Sequence, residues 1–166
     1  MEAASTSSWQ KPPVGTYPAR VSRIVDIGRQ HGSYLDKATI QSKLLITFEL
    51  TGPRRTDGRP FEIQATVAKS THDNSHLVRW IDAALGHHNI DDLAVLLNKP
   101  VLLNIIHSMS RTSGNENAYV DSKSVRMLPD GMTADPLEVE PTIVLHGSPI
   151  QIERIIKWGD PNYPRE

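Results

Sequence analysis

No cysteine occurs among the 166 residues, which excludes disulfides, thiolate zinc sites, iron–sulfur clusters and thiol nucleophiles together. Aromatic residues are scarce, with three Trp, four Tyr and two Phe, so any stacking surface is built from few rings. No apolar run approaches the roughly eighteen residues of a membrane span, and the first eight residues, Met1-Glu2-Ala3-Ala4-Ser5-Thr6-Ser7-Ser8, lack the basic and apolar regions of a signal peptide. The chain reads as a soluble, intracellular protein. A net charge of −1 excludes a histone-like polycation, and the length suits one domain with modest tails rather than a two-domain enzyme.

What is present is a core of ordinary size, 38% hydrophobic, and 12 prolines that place part of the chain outside it. Residues 1–13 are Ser/Ala-rich, end in Pro12-Pro13 and read as a flexible arm, in which Trp9 is the one residue with reason to dock. From Gly15 the pattern alternates, with Tyr17, Ala19, Val21, Arg23, Val25 and Ile27 on one face and Arg20, Ser22, Ile24 and Asp26 on the other. That is a strand. Residues 28–39 read as a long polar loop.

Leu44, Ile46, Phe48 and Leu50 form the inner face of a second strand, with Lys43, Leu45, Thr47 and Glu49 opposite. Gly52-Pro53 and Asp57-Gly58 are turn dipeptides, and Phe61, Ile63, Ala65 and Val67 continue as a third strand. The period then changes: Leu77, Trp80, Ile81, Ala84 and Leu85 share a helical face stopped by Gly86. A shorter helix is expected over 91–97, then a strand carrying Val101, Leu103, Ile105 and His107, and a last strand over 118–127. The expected architecture is mainly β with minor α: a five-stranded antiparallel barrel with a helical insertion between strands 3 and 4. That is the chain order of an OB-fold, a small barrel whose face and loops bind oligonucleotides.

The domain is expected over 14–131. Residues 132–166 form an acidic, proline-rich extension with an apolar segment at Thr142-Ile143-Val144-Leu145 and a short helix over 150–158. The extension packs in part on the domain or pairs with another subunit. Charge is divided the same way: ten basic residues against five acidic from Lys11 to Lys69, and three against seven from Asp130 onward. A basic first half and an acidic end suggest a polyanion-binding face and a competing or partner-binding tail. Single strands are held by cations that track phosphates and by rings that stack bases. Phosphate contacts are assigned to Arg20, Arg23, Arg29, Lys37, Lys43, Arg54, Arg55, Arg59, Arg111 and Lys123, and stacking to Tyr34, Phe61 and Tyr119.

Several short stretches extend this reading: Gly15-Thr16-Tyr17-Pro18-Ala19-Arg20-Val21, Val25-Asp26-Ile27-Gly28, Ile46-Thr47-Phe48-Glu49-Leu50, Gly58-Arg59-Pro60-Phe61, Lys99-Pro100-Val101-Leu102-Leu103-Asn104-Ile105-Ile106-His107 and Met127-Leu128-Pro129-Asp130-Gly131. Over 15–131 the chain resembles a family of small bacteriophage proteins regarded as OB-fold single-stranded-DNA-binding proteins. The resemblance implies non-enzymatic, sequence-tolerant coating of single-stranded DNA in phage replication or recombination, in the cytoplasm of the infected host. It transfers no catalytic group and no cofactor. Many single-strand binders end in an acidic tail tipped by an aromatic residue, whereas this chain ends Asp160-Pro161-Asn162-Tyr163-Pro164-Arg165-Glu166. A replication or host protein is a partner for the extension, in the alternative reading as a protein-interaction module.

Other constellations have plainer explanations. His72 and His76 are spaced i, i+4, with His87-His88 nearby, yet no third metal ligand can be named. Ser70-Thr71-His72-Asp73 lacks a nucleophile elbow. Gly52 and Gly58 lack the Lys-Ser/Thr of a phosphate loop. Asp91-Asp92 suits a helix start, Glu138 and Glu140 an acidic tail, and His107 the rim of a core.

Overall fold

The computed structural model describes residues 10–34, 37–70, 75–90, 92–109 and 114–144. Alternation on one strand organises it. Leu44, Ile46, Phe48 and Leu50 all point into the core, as period 2 requires of residues on one face. They belong to β2 (Lys37–Arg54), which pairs with β1 (Gly15–Tyr34) on one side and β3 (Pro60–Ala68) on the other. β4 (Pro100–Met109) pairs with the first part of β1, and β5 (Glu116–Val120) pairs with β4. The order β3-β2-β1-β4-β5 curls into an antiparallel half-barrel whose edges, β3 and β5, touch without a hydrogen-bonded ladder.

One helix, α1 (His76–Leu85), follows β3 in the chain and precedes β4. The Ser75 hydroxyl accepts the Val78 N–H at its start, and Gly86 ends it in the left-handed region at φ 81°. Leu77, Trp80 and Ile81 bury its apolar stripe. Trp80 meets Phe48 edge to face at 5.7 Å between ring centres, and its indole N–H donates to the Ser122 carbonyl at 3.0 Å. Packing and polar tip are therefore both satisfied.

Four expectations are corrected. Residues 28–34 and 37–39 are strand, not loop: β1 continues to Tyr34 and β2 begins at Lys37, the two pairing as a ribbon. The last strand ends at Val120, after which the chain forms a 3-10 turn over Ser122–Ser124 that stays tied to β4 at Asn104, whose carbonyl accepts the Asp121 N–H at 3.0 Å and whose N–H donates to the Ser124 hydroxyl at 2.9 Å, and it rejoins β4 by a bridge from Arg126 to Leu102. The expected helix over 91–97 is a 3-10 turn at Leu93–Leu96. Finally, β1 does not keep one apolar face. A bulge between Val21 and Arg23 inserts Ser22, so Ile24 joins Ala19 and Val21 in the main core. Val25 and Ile27 turn outward, where Leu45 and Val144 cover them.

That cover comes from a sixth strand, β6 (Thr142–Val144), which runs parallel to Arg23, Ile24 and Val25 of β1. It takes the edge of β1 just beyond the point where β4 leaves it at Arg20. The apolar segment of the extension thus packs on its own barrel. Residues 10–13, read as part of an arm, are docked as well: Gln10 exchanges hydrogen bonds with Thr56 at 2.6 and 3.1 Å, and Pro12 is buried. No helix among the described residues is long and apolar enough to cross a membrane.

Candidate nucleic-acid interface

Among the described residues, the ladder of β3 on β2 ends at Lys43 and that of β6 on β1 ends at Val25. From Arg29↔Ser42 to Tyr34↔Lys37 the two strands pair only with each other among the described residues. Among the described residues the result is an arm of six rungs, about 20 Å long at ~3.3 Å per residue, tied at its base rung by the Lys69 N–H, which donates to the Ser42 carbonyl at 2.8 Å. Gly28, at φ 69° beside a second register shift, supplies the left-handed residue where the arm leaves the barrel. Its N–H donates to Asp26 Oδ1, whose carboxylate also binds Lys69 at 2.9 Å.

The arm carries Arg29 and Lys37, and Lys43 stands at its base, where β2 still pairs with Ala68 of β3. Arg29 and Lys37 are exposed and Lys43 half-buried. Among the described residues none of the three has a carboxylate partner. Strand period puts Lys37 and Lys43 on one face of the ribbon and Arg29 on the other, with exposed Ile40. Tyr34 occupies the rung opposite Lys37, and its side chain lies outside the described residues.

The second basic group sits at the other end of β2, eleven residues and about 36 Å of strand from Lys43 to Arg54. Here the cations are already paired. Arg54 meets Glu138 at 2.6 Å and donates to the Gly58 carbonyl at 2.9 Å; Arg55 meets Asp57 at 3.2 Å, and Arg59 approaches the same carboxylate at 3.8 Å. The Arg54 hydrogen bond and charge hold Glu138 below the usual carboxylate range.

Arg20 proves to be a structural tie. Its guanidinium donates to the carbonyls of Asn98, Asp135 and Ala134 at 2.8, 3.0 and 3.1 Å, which corrects its assignment as a free phosphate contact. Phe61 is corrected too: it lies in the main core and offers no ring to a base. Tyr119 pairs with Ile106 across β4–β5, and Lys123 is exposed in the turn that follows. Both lie on or just after β5, which pairs with β4 and touches β3 rather than β2, so neither is on the arm or in the Arg54 turn. Arg111 lies outside the described residues, as do His72, Asp73, Asp91, Trp9, Trp158 and the expected helix over 150–158. The predicted cations therefore form two groups and a remote one, not one cleft.

Between the two groups runs the outer face of β2: Lys37 on the arm, Lys43 at its base, then Leu45, Thr47, Glu49 and Thr51. Outward polar residues are ordinarily wet, yet Thr47 and Glu49 are only 3% and 5% exposed. The extension crosses them. The Asp135 N–H donates to the Thr51 hydroxyl at 2.7 Å and the Glu138 N–H to Glu49 Oε2 at 2.9 Å, before β6 settles on β1. Burial pushes the Glu49 carboxyl up from its ordinary value; the Glu138 N–H opposes that, while the charges of Glu62 and Glu138 add to it and Arg54 subtracts.

Sequence reasoning missed Thr47, Glu49, Thr51 and Glu138 as a unit. The available signal was two alternating faces on β2, both poor in charge, which is how a strand covered on both sides reads. Among the described residues no group of three or more His, Asp or Glu could hold a metal ion. His88 instead pairs with Asp82 at 2.9 Å, and His107 directs Nε2 to the Pro12 carbonyl at 2.7 Å and Nδ1 to Glu116 at 3.4 Å. Neither protein-family models nor curated proteins match this chain.

Proposed function

We propose that this chain is a non-enzymatic, largely sequence-independent single-stranded-DNA-binding protein with an OB-fold barrel, acting in phage DNA replication or recombination in the host cytoplasm. The strand order β3-β2-β1-β4-β5 with α1 between β3 and β4 in the chain supports that barrel. The observation that carries the functional reading is the arm. Three cations that have no carboxylate partner among the described residues, Arg29 and Lys37 on the arm and Lys43 at its base, line a two-stranded ribbon of a kind that is marginally stable alone. Such a ribbon gains from a polyanion laid along it, because each cation neutralises a phosphate and releases counterions. Tyr34, taken from the sequence as a stacking residue, is the ring that this reading assigns to a base.

The arm selects an unpaired strand over a duplex through flexibility: a single strand bends to follow two lysines on one face and an arginine on the other. The test is an anisotropy titration of labelled single-stranded and duplex oligonucleotides of equal length at low and moderate salt. The reading expects tighter single-strand binding that weakens as salt rises. Equal binding of both, or no binding at low salt, overturns it.

A further inference from the structure

Three side-chain atoms on one patch of the barrel are buried without a hydrogen-bond partner among the described residues: Arg23 Nε, Thr47 Oγ1 and Glu49 Oε1. They are neighbours. Arg23 and Thr47 are directly opposed across β1–β2, and Glu49 follows Thr47 two residues on along the same face. A buried polar group left unpaired costs roughly 1–3 kcal/mol, and three in one place call for a ligand that pairs with them. The segment over them does not: it supplies Glu49 with one N–H, on Oε2, and leaves the rest unmade.

The cover has two parts of different character. β6 is an apolar anchor, with Ile143 against the main core and Val144 against Val25, Ile27 and Leu45. The part before it is held mainly by polar links at its ends: Arg20 to the Ala134 and Asp135 carbonyls, Asp135 to Thr51, and Glu138 to Glu49 and Arg54. Water or a polar ligand can replace those links; it cannot replace the anchor. Residues 134–138 thus form a latch that can lift while β6 stays.

Resting on the proposed single-strand binding, we infer that Arg23, Thr47 and Glu49 form a base-edge subsite beneath this latch, one that favours bases bearing an exocyclic amine. A carboxylate on the path of a polynucleotide repels phosphate, so Glu49 would be misplaced in a backbone track. It is well placed to accept from the amine of cytosine, the pairing by which acidic side chains read that base. Arg23 Nε donates to the base carbonyl, and the Thr47 hydroxyl donates or accepts as required. The patch continues the face that carries Lys37 and Lys43, so a strand gripped by the arm arrives there next. Thymine, with a second carbonyl in place of the amine, leaves Glu49 opposite an acceptor.

The experiment compares dT and dC oligomers of equal length by anisotropy with the full chain at one salt concentration, and follows backbone hydrogen exchange in both complexes. The expected result is at least threefold tighter dC binding, with the amides of Asp135 and Glu138 exchanging faster in the dC complex while those of β6 remain protected. In Glu49→Gln the two oligomers bind alike; Thr47→Val provides the same reading should the first variant not fold. Equal dC and dT affinity in the unmodified chain overturns the subsite and leaves single-strand binding standing. Absence of binding to either oligomer overturns both.

Discussion

Arg54 and Glu138 meet at 2.6 Å, joining the basic turn between β2 and β3 to the acidic extension 84 residues further along. A cation predicted to hold phosphate is thus held by the chain's own carboxylate. The pair is solvent-exposed, so its worth lies less in stability than in competition: phosphate must displace Glu138 to reach Arg54. Glu138→Gln is expected to leave the melting temperature nearly unchanged and to tighten single-strand binding. The slope of log affinity against log salt should steepen by about 0.7, the share of one recovered phosphate contact. An unchanged slope in the salt titration would show that Arg54 takes no part.

Arg20 should behave in the opposite way. Three carbonyls from two separate segments converge on its guanidinium, and Arg20→Ala leaves them without their donor. Denaturant unfolding is expected to register a loss of about 1–3 kcal/mol. The salt slope of DNA binding should not flatten; a flattened slope with intact stability would return Arg20 to the phosphate contacts.

Phe61 offers a similarly sharp distinction between packing and stacking. Because its ring is enclosed in the main core, Phe61→Ala is expected to destabilise the fold by about 3–5 kcal/mol. A folded Phe61→Ala protein with native stability and weakened DNA binding would contradict the structure.

Glu49 makes stability depend on pH. Its carboxyl is raised chiefly by burial, so the folded state holds the proton more tightly than the unfolded state does. The stability this contributes is complete below the ordinary glutamate value and is lost as pH rises through the raised one. Melting curves of the wild type and Glu49→Gln from pH 4 to pH 7 should show the wild type losing ground to the variant as pH increases. The reverse trend would mean that the carboxylate is stabilised as an anion beneath the latch.

Much of the barrel was legible because its strands bury one face at period 2. Leu44, Ile46, Phe48 and Leu50 mark β2, and the change of period at Leu77, Trp80 and Ile81 marks α1. The arm was illegible for the complementary reason: a ribbon wet on both faces has no apolar alternation to read, and Arg29, Lys37 and Gln41 look like loop. The inserted Ser22 flips the β1 residues from Arg23 to Asp26 to the other face until the second shift beside Gly28 restores the parity, and such one-residue events leave no compositional trace. The placement of Glu138 on Glu49 and Arg54 joins positions 89 and 84 residues apart, and local pattern carries no information over that span. Charge counting located the basic half but could not tell Arg29, Lys37 and Lys43, which have no carboxylate partner among the described residues, from the paired cations at the turn.

The arm's role is tested most directly by one comparison: a labelled dT oligomer titrated at fixed low salt into the wild type, an Arg29→Ala/Lys37→Ala/Lys43→Ala variant and an Arg55→Ala/Arg59→Ala variant. The account predicts a large loss of affinity in the arm variant, with a salt slope flatter by about 2 for three lost phosphate contacts, and little change in the turn variant. Wild-type affinity and slope in a folded arm variant would contradict it.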